Sequence, residues 1–144
     1  MRPLAYLCLL LAAVLRTANA GTPAISVTDA WVRAVPGSTV AAAYFTVRNE
    51  GTRPLKIIGI RSPVAAHAMI HETALVGTQS TMRAHEQLPL APGQSVHLTP
   101  GGLHLMLMDL RQPLAPGAQV PLVLLLEDGA SLTVMARVRA LGEQ

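Results

Sequence analysis

The sequence predicts an all-β fold, and three observations carry that expectation. Turn-forming groups recur at short intervals, at Pro36-Gly37, Asn49-Glu50-Gly51, Pro92-Gly93, Pro100-Gly101-Gly102, Pro116-Gly117 and Asp128-Gly129. Between them lie short runs rich in Val, Leu, Ile and Thr, several of which alternate apolar and polar residues. No segment repeats apolar residues at helical spacing over a useful length. Many short strands with closely spaced turns favour a single antiparallel sandwich or Greek-key barrel.

The strands follow in order. "AISVTDAWVRA" ends in a strand-like stretch, and "VAAAYFTVRN" runs into the Glu50-Gly51 turn. "LKIIGI" alternates small and bulky apolar residues, while "HAMIHET", "TMRAHEQL" and "QSVHLT" are shorter and more polar. "GLHLMLMDL", "VPLVLLLE" and "ASLTVMARVRA" complete the set, the last two flanking a hairpin turn at Asp128-Gly129. Trp31, Tyr44 and Phe45 are the only aromatics after residue 20, so the core must be built mostly from Val, Leu, Ile and Ala. Trp31 is read as a core or edge aromatic.

The first twenty residues have a different character. Met1-Arg2 is a charged opening, Pro3 to Leu15 is almost wholly apolar, and Ala18-Asn19-Ala20 supplies a small-residue cleavage site. This is the layout of a secretory signal peptide over residues 1–20. The apolar run falls short of the roughly 20 residues that span a bilayer. Cys8 sits inside that run behind the bulky Tyr6 and Leu7, which disfavours a lipoprotein signal. A domain over residues 21–144 follows. Loss of Arg2 and Arg16 would leave nine basic against eight acidic residues, with nothing to suggest a nucleic-acid or anionic-membrane surface. Cys8, the only cysteine, would leave too, so packing rather than disulfides must hold the domain and no site can use a thiolate.

The chemistry lies in "GGLHLMLMDL". Residues two apart share a face of a strand, so Leu103, Leu105 and Leu107 form one stripe and His104, Met106 and Met108 the other. His67, Met69 and His71 share a parity in "HAMIHET", and Met82 and His85 take opposite parities in the next run. Thioethers are soft donors suited to Cu(I), and neutral imidazole suits copper in either state. A His/Met set without thiolate or carboxylate argues against structural zinc, and against blue copper, which needs a cysteine sulfur. In an oxidising compartment thioethers stay available where thiol pairs would oxidise.

His71, ten residues, Met82, twenty-one residues and then His104-x-Met106 resembles the metal-binding pattern of the periplasmic PCu(A)C-type copper chaperones. "IHET", "PGGLHLMLMDL", "AWVRAVPG" and "AAYFTVRNEG" are similar to that family's flanking segments, so the likeness spans essentially all of residues 21–144. The resemblance implies a cupredoxin-like β-barrel holding one Cu(I) near its surface, with His71, Met82, His104 and Met106 as ligands. It implies delivery of copper to cytochrome oxidase assembly, notably the CuA centre on an oxidase subunit, alongside Sco-type thiol proteins. Family members with a His/Met-rich tail add a Cu(II) site, but this sequence ends in "VRALGEQ". The expected state is a periplasmic monomer without catalysis. A copper buffer lacking a specific acceptor, a copper oxidase or hydrolase, and a metal-free adhesive sandwich are the alternatives. No Ser/His/Asp set supports an enzyme. Met69 and Met108 share faces with the implied ligands and are read as packing residues that could shield the ion or replace a lost thioether; His67 is read as a non-ligand, and His85 and His97 as solvated. Glu72 and Glu86 are candidates to steer a partner or to orient a ligand imidazole, and the sequence does not choose among such acceptors.

Overall fold

The computed structural model describes residues 24–143; the expected signal peptide and Cys8 lie outside the described residues. The chain forms ten strands: β1 (Ile25–Ala34), β2 (Val40–Asn49), β3 (Leu55–Arg61), β4 (Ala65–Val76), β5 (Gln79–His85), β6 (Leu88–Leu90), β7 (Ser95–Leu98), β8 (Leu103–Leu110), β9 (Gln119–Leu126) and β10 (Ser131–Arg139). No helix occurs among the described residues. The strands form one sheet in the order β5-β4-β8-β2-β1-β10-β9-β3-β6, with β7 pairing with β2 beyond the end of β8.

The all-β expectation holds, with one difference in pairing. The ladders are antiparallel except that β10 lies parallel to β1, Trp31 facing Arg137 and Arg33 facing Arg139. The last strand thus returns alongside the first, a closure that no local turn signal encodes. The hairpin expected from turn chemistry at Asp128-Gly129 is in place. Asp128 accepts a hydrogen bond from the Ala130 amide at 2.9 Å, and Gly129 adopts φ +86° between β9 and β10. Gly77, at φ +65°, turns β4 into β5. Both conformations disfavour residues carrying a Cβ.

Burial follows strand parity. On β9, Val120, Leu122, Leu124 and Leu126 point inward, and on β8 Leu105 and Leu107 are fully buried against Val32, Ala43, Val47 and Ile57. A bulge in β1 matters for what faces outward. Asp29 takes φ +54°, and the register with β2 slips between Thr28 and Trp31. One extra residue reverses the parity, so Ile25 and then Val32 both reach the core while Trp31 and Arg33 turn to the opposite face. Aspartate is one of the few residues that visits the left-handed region at modest cost.

Asn49, which the sequence suggested only as a turn residue, is a buried clasp. Its Nδ2 donates to the Arg53 and Leu90 carbonyls at 2.8 and 3.1 Å, and its Oδ1 accepts from the Gly51 amide at 2.9 Å. The two faces of β8 should respond differently to truncation. Leu105→Ala is expected to destabilise the fold by about 2–5 kcal/mol, and Met106→Ala by about 1 kcal/mol or less, in denaturant unfolding of the metal-free protein.

Candidate metal centre

Three neighbouring strands, β5-β4-β8, bring the sequence-predicted ligands to one face. His71 is directly opposite His104 in the β4–β8 ladder, Met69 opposite Met106, and His67 opposite Met108. Opposed residues share a face, and that face is the one turned away from the buried leucines. On the other flank Met82 opposes Thr73, which puts it diagonal to His71 on the same face. His71 is therefore the centre of the set, with His104 across one ladder, Met106 on that ladder's diagonal and Met82 on the other ladder's diagonal.

The two imidazoles are prepared for a ligand. Their ring centres lie 6.0 Å apart, edge to face. A metal ion about 2 Å from one nitrogen of each ring would separate the centres by about 6 Å or less. The Nδ1–H of His104 donates to the Gly102 carbonyl at 3.0 Å. Because a carbonyl only accepts, this bond fixes the tautomer and leaves the lone pair on Nε2. The same carbonyl accepts the Thr73 amide at 3.2 Å, so the Pro100-Gly102 turn is tied to β4 as well as to the ring. His104 is only 6% exposed although it lies on the outer face. In His71, Nδ1 is buried and has no hydrogen-bond partner. Leaving such an atom unpaired costs about 1–3 kcal/mol, and a cation bonded to it would remove that cost.

Electrostatics favours the neutral form of His71. Burial comes first in holding its pKa below the usual 6.5, and the neighbouring His104 and His85 add to that depression. A neutral imidazole has a lone pair to give, so uptake at pH 7 need not expel a proton from this ring.

The donors gathered on this face are imidazoles and thioethers. Among the described residues no group of three or more His, Cys, Asp or Glu is placed to hold a metal ion. An N/S set of imidazoles and thioethers suits a soft ion. Exposure is graded across the set: His104 is buried, His71 and Met106 are half-buried, and Met82 is 61% exposed on edge strand β5.

Other candidates have other roles. The His85 Nε2–H donates to the Glu72 carboxylate at 2.9 Å on the opposite face of the β4–β5 hairpin. His85 is thus half-buried and paired rather than solvated, and Glu72 is spent on it instead of on a ligand ring. The orienting acceptor that sequence reasoning could not choose is the Gly102 carbonyl, whose one visible signal was the Pro-Gly-Gly turn. His97 is exposed and its Nδ1 lies 3.0 Å from Thr46 Oγ1 on β7–β2, apart from the set. His67 approaches Asp109 only at 4.0 Å, both side chains largely in solvent, a contact of little worth. Met69 and Met108 lie on the ligand face, Met69 directly opposite Met106.

The His71 shift has a sign that can be measured. With its folded pKa below its unfolded one, the native state takes up the proton later. Metal-free stability should therefore rise with pH through the range below 6.5 and level off above it. In an NMR titration His71 should show its midpoint below 6.5, and His104→Ala should move that midpoint upward by removing the second of the three causes.

Comparison with known proteins agrees with this fold. Residues 25–138 match the family described as "Putative lipoprotein LpqE-like". A curated relative from Leifsonia xyli subsp. xyli, named "Putative lipoprotein Lxx21020", is 35% identical over 128 residues, covering 85% of this chain and 76% of its own. Among solved structures, the copper-bound PCuAC domain from PmoF2 matches at 28% identity and a TM-score of 0.69, over 81% of this chain and 93% of that domain. The Cu(I) form of DR1885 from Deinococcus radiodurans matches at 31% identity and a TM-score of 0.66, over 88% and 85% of the two chains. This chain belongs to the LpqE-like family, and its β-fold is that of the PCuAC-type copper chaperone domains.

Proposed function

We propose that this protein is an exported copper chaperone. It binds one Cu(I) through His71, Met82, His104 and Met106 and passes it to cytochrome oxidase assembly, at the CuA-bearing subunit or through a Sco-type protein. The observation that carries this reading is the opposed pair of imidazoles, one with its tautomer fixed by Gly102 and the other with an unpaired buried nitrogen, on a face that also bears Met106 and Met82. Copper in the structurally similar PmoF2 and DR1885 proteins supports it. The lipoprotein names of its relatives support export, and the periplasm is the compartment that fits a thioether site free of cysteine.

The gradient of exposure gives the transfer step a physical basis. His104 and His71 anchor the ion in a drier part of the sheet, while Met82 stands on the edge strand where an incoming donor can replace it first. Ligands can then be exchanged one at a time, which avoids a naked ion. This is the behaviour of a binding protein.

Anaerobic titration with Cu(I) against a chromogenic chelator tests the reading. One tight equivalent is expected. Alanine at His71, Met82, His104 or Met106 should each weaken it, with the histidine losses exceeding the ~10–100-fold cost of losing an outer-shell partner. His97→Ala should leave it unchanged. Transfer to a metal-free CuA domain separates a chaperone from a buffer: retention of copper in the presence of that domain would overturn the delivery step while leaving the site intact.

A further inference from the structure

The ligand face does not end at β8. Met106 opposes Ala42 on β2, Ala42 opposes Arg33 on β1, and Arg33 opposes Arg139 on β10. Two residues along, on the same face, Tyr44 opposes Trp31 and Trp31 opposes Arg137. This row collects three arginines around an aromatic pair. The Trp31 and Tyr44 rings are 4.5 Å apart between centroids. The Arg139 guanidinium lies 4.4 Å from the Trp31 centroid, and that of Arg33 lies 5.4 Å from Trp31 and 5.5 Å from Tyr44. These distances fall within the roughly 6 Å range of cation–π attraction.

The cluster is unusual for its lack of counter-charge. Among the described residues, none of Arg33, Arg137 and Arg139 forms an ion pair, whereas Arg48 and Lys56 elsewhere each have a glutamate. Gathering three like charges opposes folding, and stacking on Trp31 and Tyr44 offsets part of that cost without neutralising it. Stacking engages the flat faces of the guanidinium groups and leaves their N–H edges for carboxylates, which they can grip in pairs.

We propose that Arg33, Arg137 and Arg139, framed on Trp31 and Tyr44, form the docking surface for an acidic protein, the acceptor of the metal. The identity of that partner as acceptor rests on the copper-transfer reading; the docking surface itself does not. From β8 to β1 is two strand spacings, about 10 Å. A partner covering about 800 Å² would therefore lie over both the arginines and the exposed side of the ligand set. Carboxylates on its rim would meet the arginines and speed encounter in the orientation that transfer requires.

Trp31 is the only tryptophan in the chain, so its emission reports on this surface directly. The experiment titrates the folded protein with an oligoglutamate peptide, and separately with phosphatidylglycerol vesicles. A saturable emission change with the peptide is expected, one that weakens as salt rises and is at least about tenfold weaker in the double variant R33Q/R139Q. The single variant R137Q, which leaves both stacked guanidinium groups in place, should weaken it to a smaller extent. Chelator competition on the same variants should give the wild-type Cu(I) affinity. Unaltered peptide binding in R33Q/R139Q and R137Q, no saturable response, or a response to vesicles alone would overturn the proposal. If the wild type retains no Cu(I), the copper reading fails while the peptide titration still decides the surface.

Discussion

The structure depends on the two-residue period of strand β8. Leucines at 103, 105 and 107 must face one way, and the imidazole and thioethers at 104, 106 and 108 the other. A slip of one residue would bury His104 and Met106 in the core and expose two fully buried leucines. Burying each leucine side chain stabilises by about 1.5–3 kcal/mol, so the core itself enforces the register that assembles the site. Because β4 pairs with β8 in that register, His71 meets His104 with no need of a dedicated loop. A site built on paired strands is held more firmly than one carried by loops.

Much of this was legible in the sequence, because it is local. The parity of "LHLMLM" and the Asp128-Gly129 hairpin are both read within a few residues. The resemblance to copper chaperones then selected four residues from ten His and Met candidates, and the fold places those four on one sheet face. Other features depended on pairing between strands far apart in sequence. Nothing near Arg139 announces a parallel partner in β1, and Arg33, Arg137 and Arg139 look like ordinary solvent-facing strand residues until register aligns them around Trp31. The Asp29 bulge was equally hidden, since its sequence lacks the glycine that usually marks such a site. Glu72 illustrates the opposite error. A carboxylate beside His71 in sequence suggested an orienting role, but neighbours in a strand point to opposite faces, and Glu72 binds His85 instead.

The same alternation explains how the surface divides its labour. The core-facing residues of β1, β2, β8 and β10 include Val32, Ala43, Leu105, Leu107, Ala136 and Val138, all essentially sealed from water. The outer face packs less tightly, with Tyr44 and His104 as its buried members. It grades from a soft-donor region over β5-β4-β8 to a cationic, aromatic region over β2-β1-β10. On the proposed reading the first region would hold the ion and the second would meet a carboxylate-rich partner, and the two share no residues.

The central claim concerns which atoms hold the metal, and X-ray absorption at the copper edge of the Cu(I)-loaded protein tests it most directly. The account predicts a first shell of two imidazole nitrogens and two thioether sulfurs, with one sulfur lost in Met106→Leu and one nitrogen lost in His104→Ala. A shell of nitrogen and oxygen alone, or one unaltered by both substitutions, would contradict it.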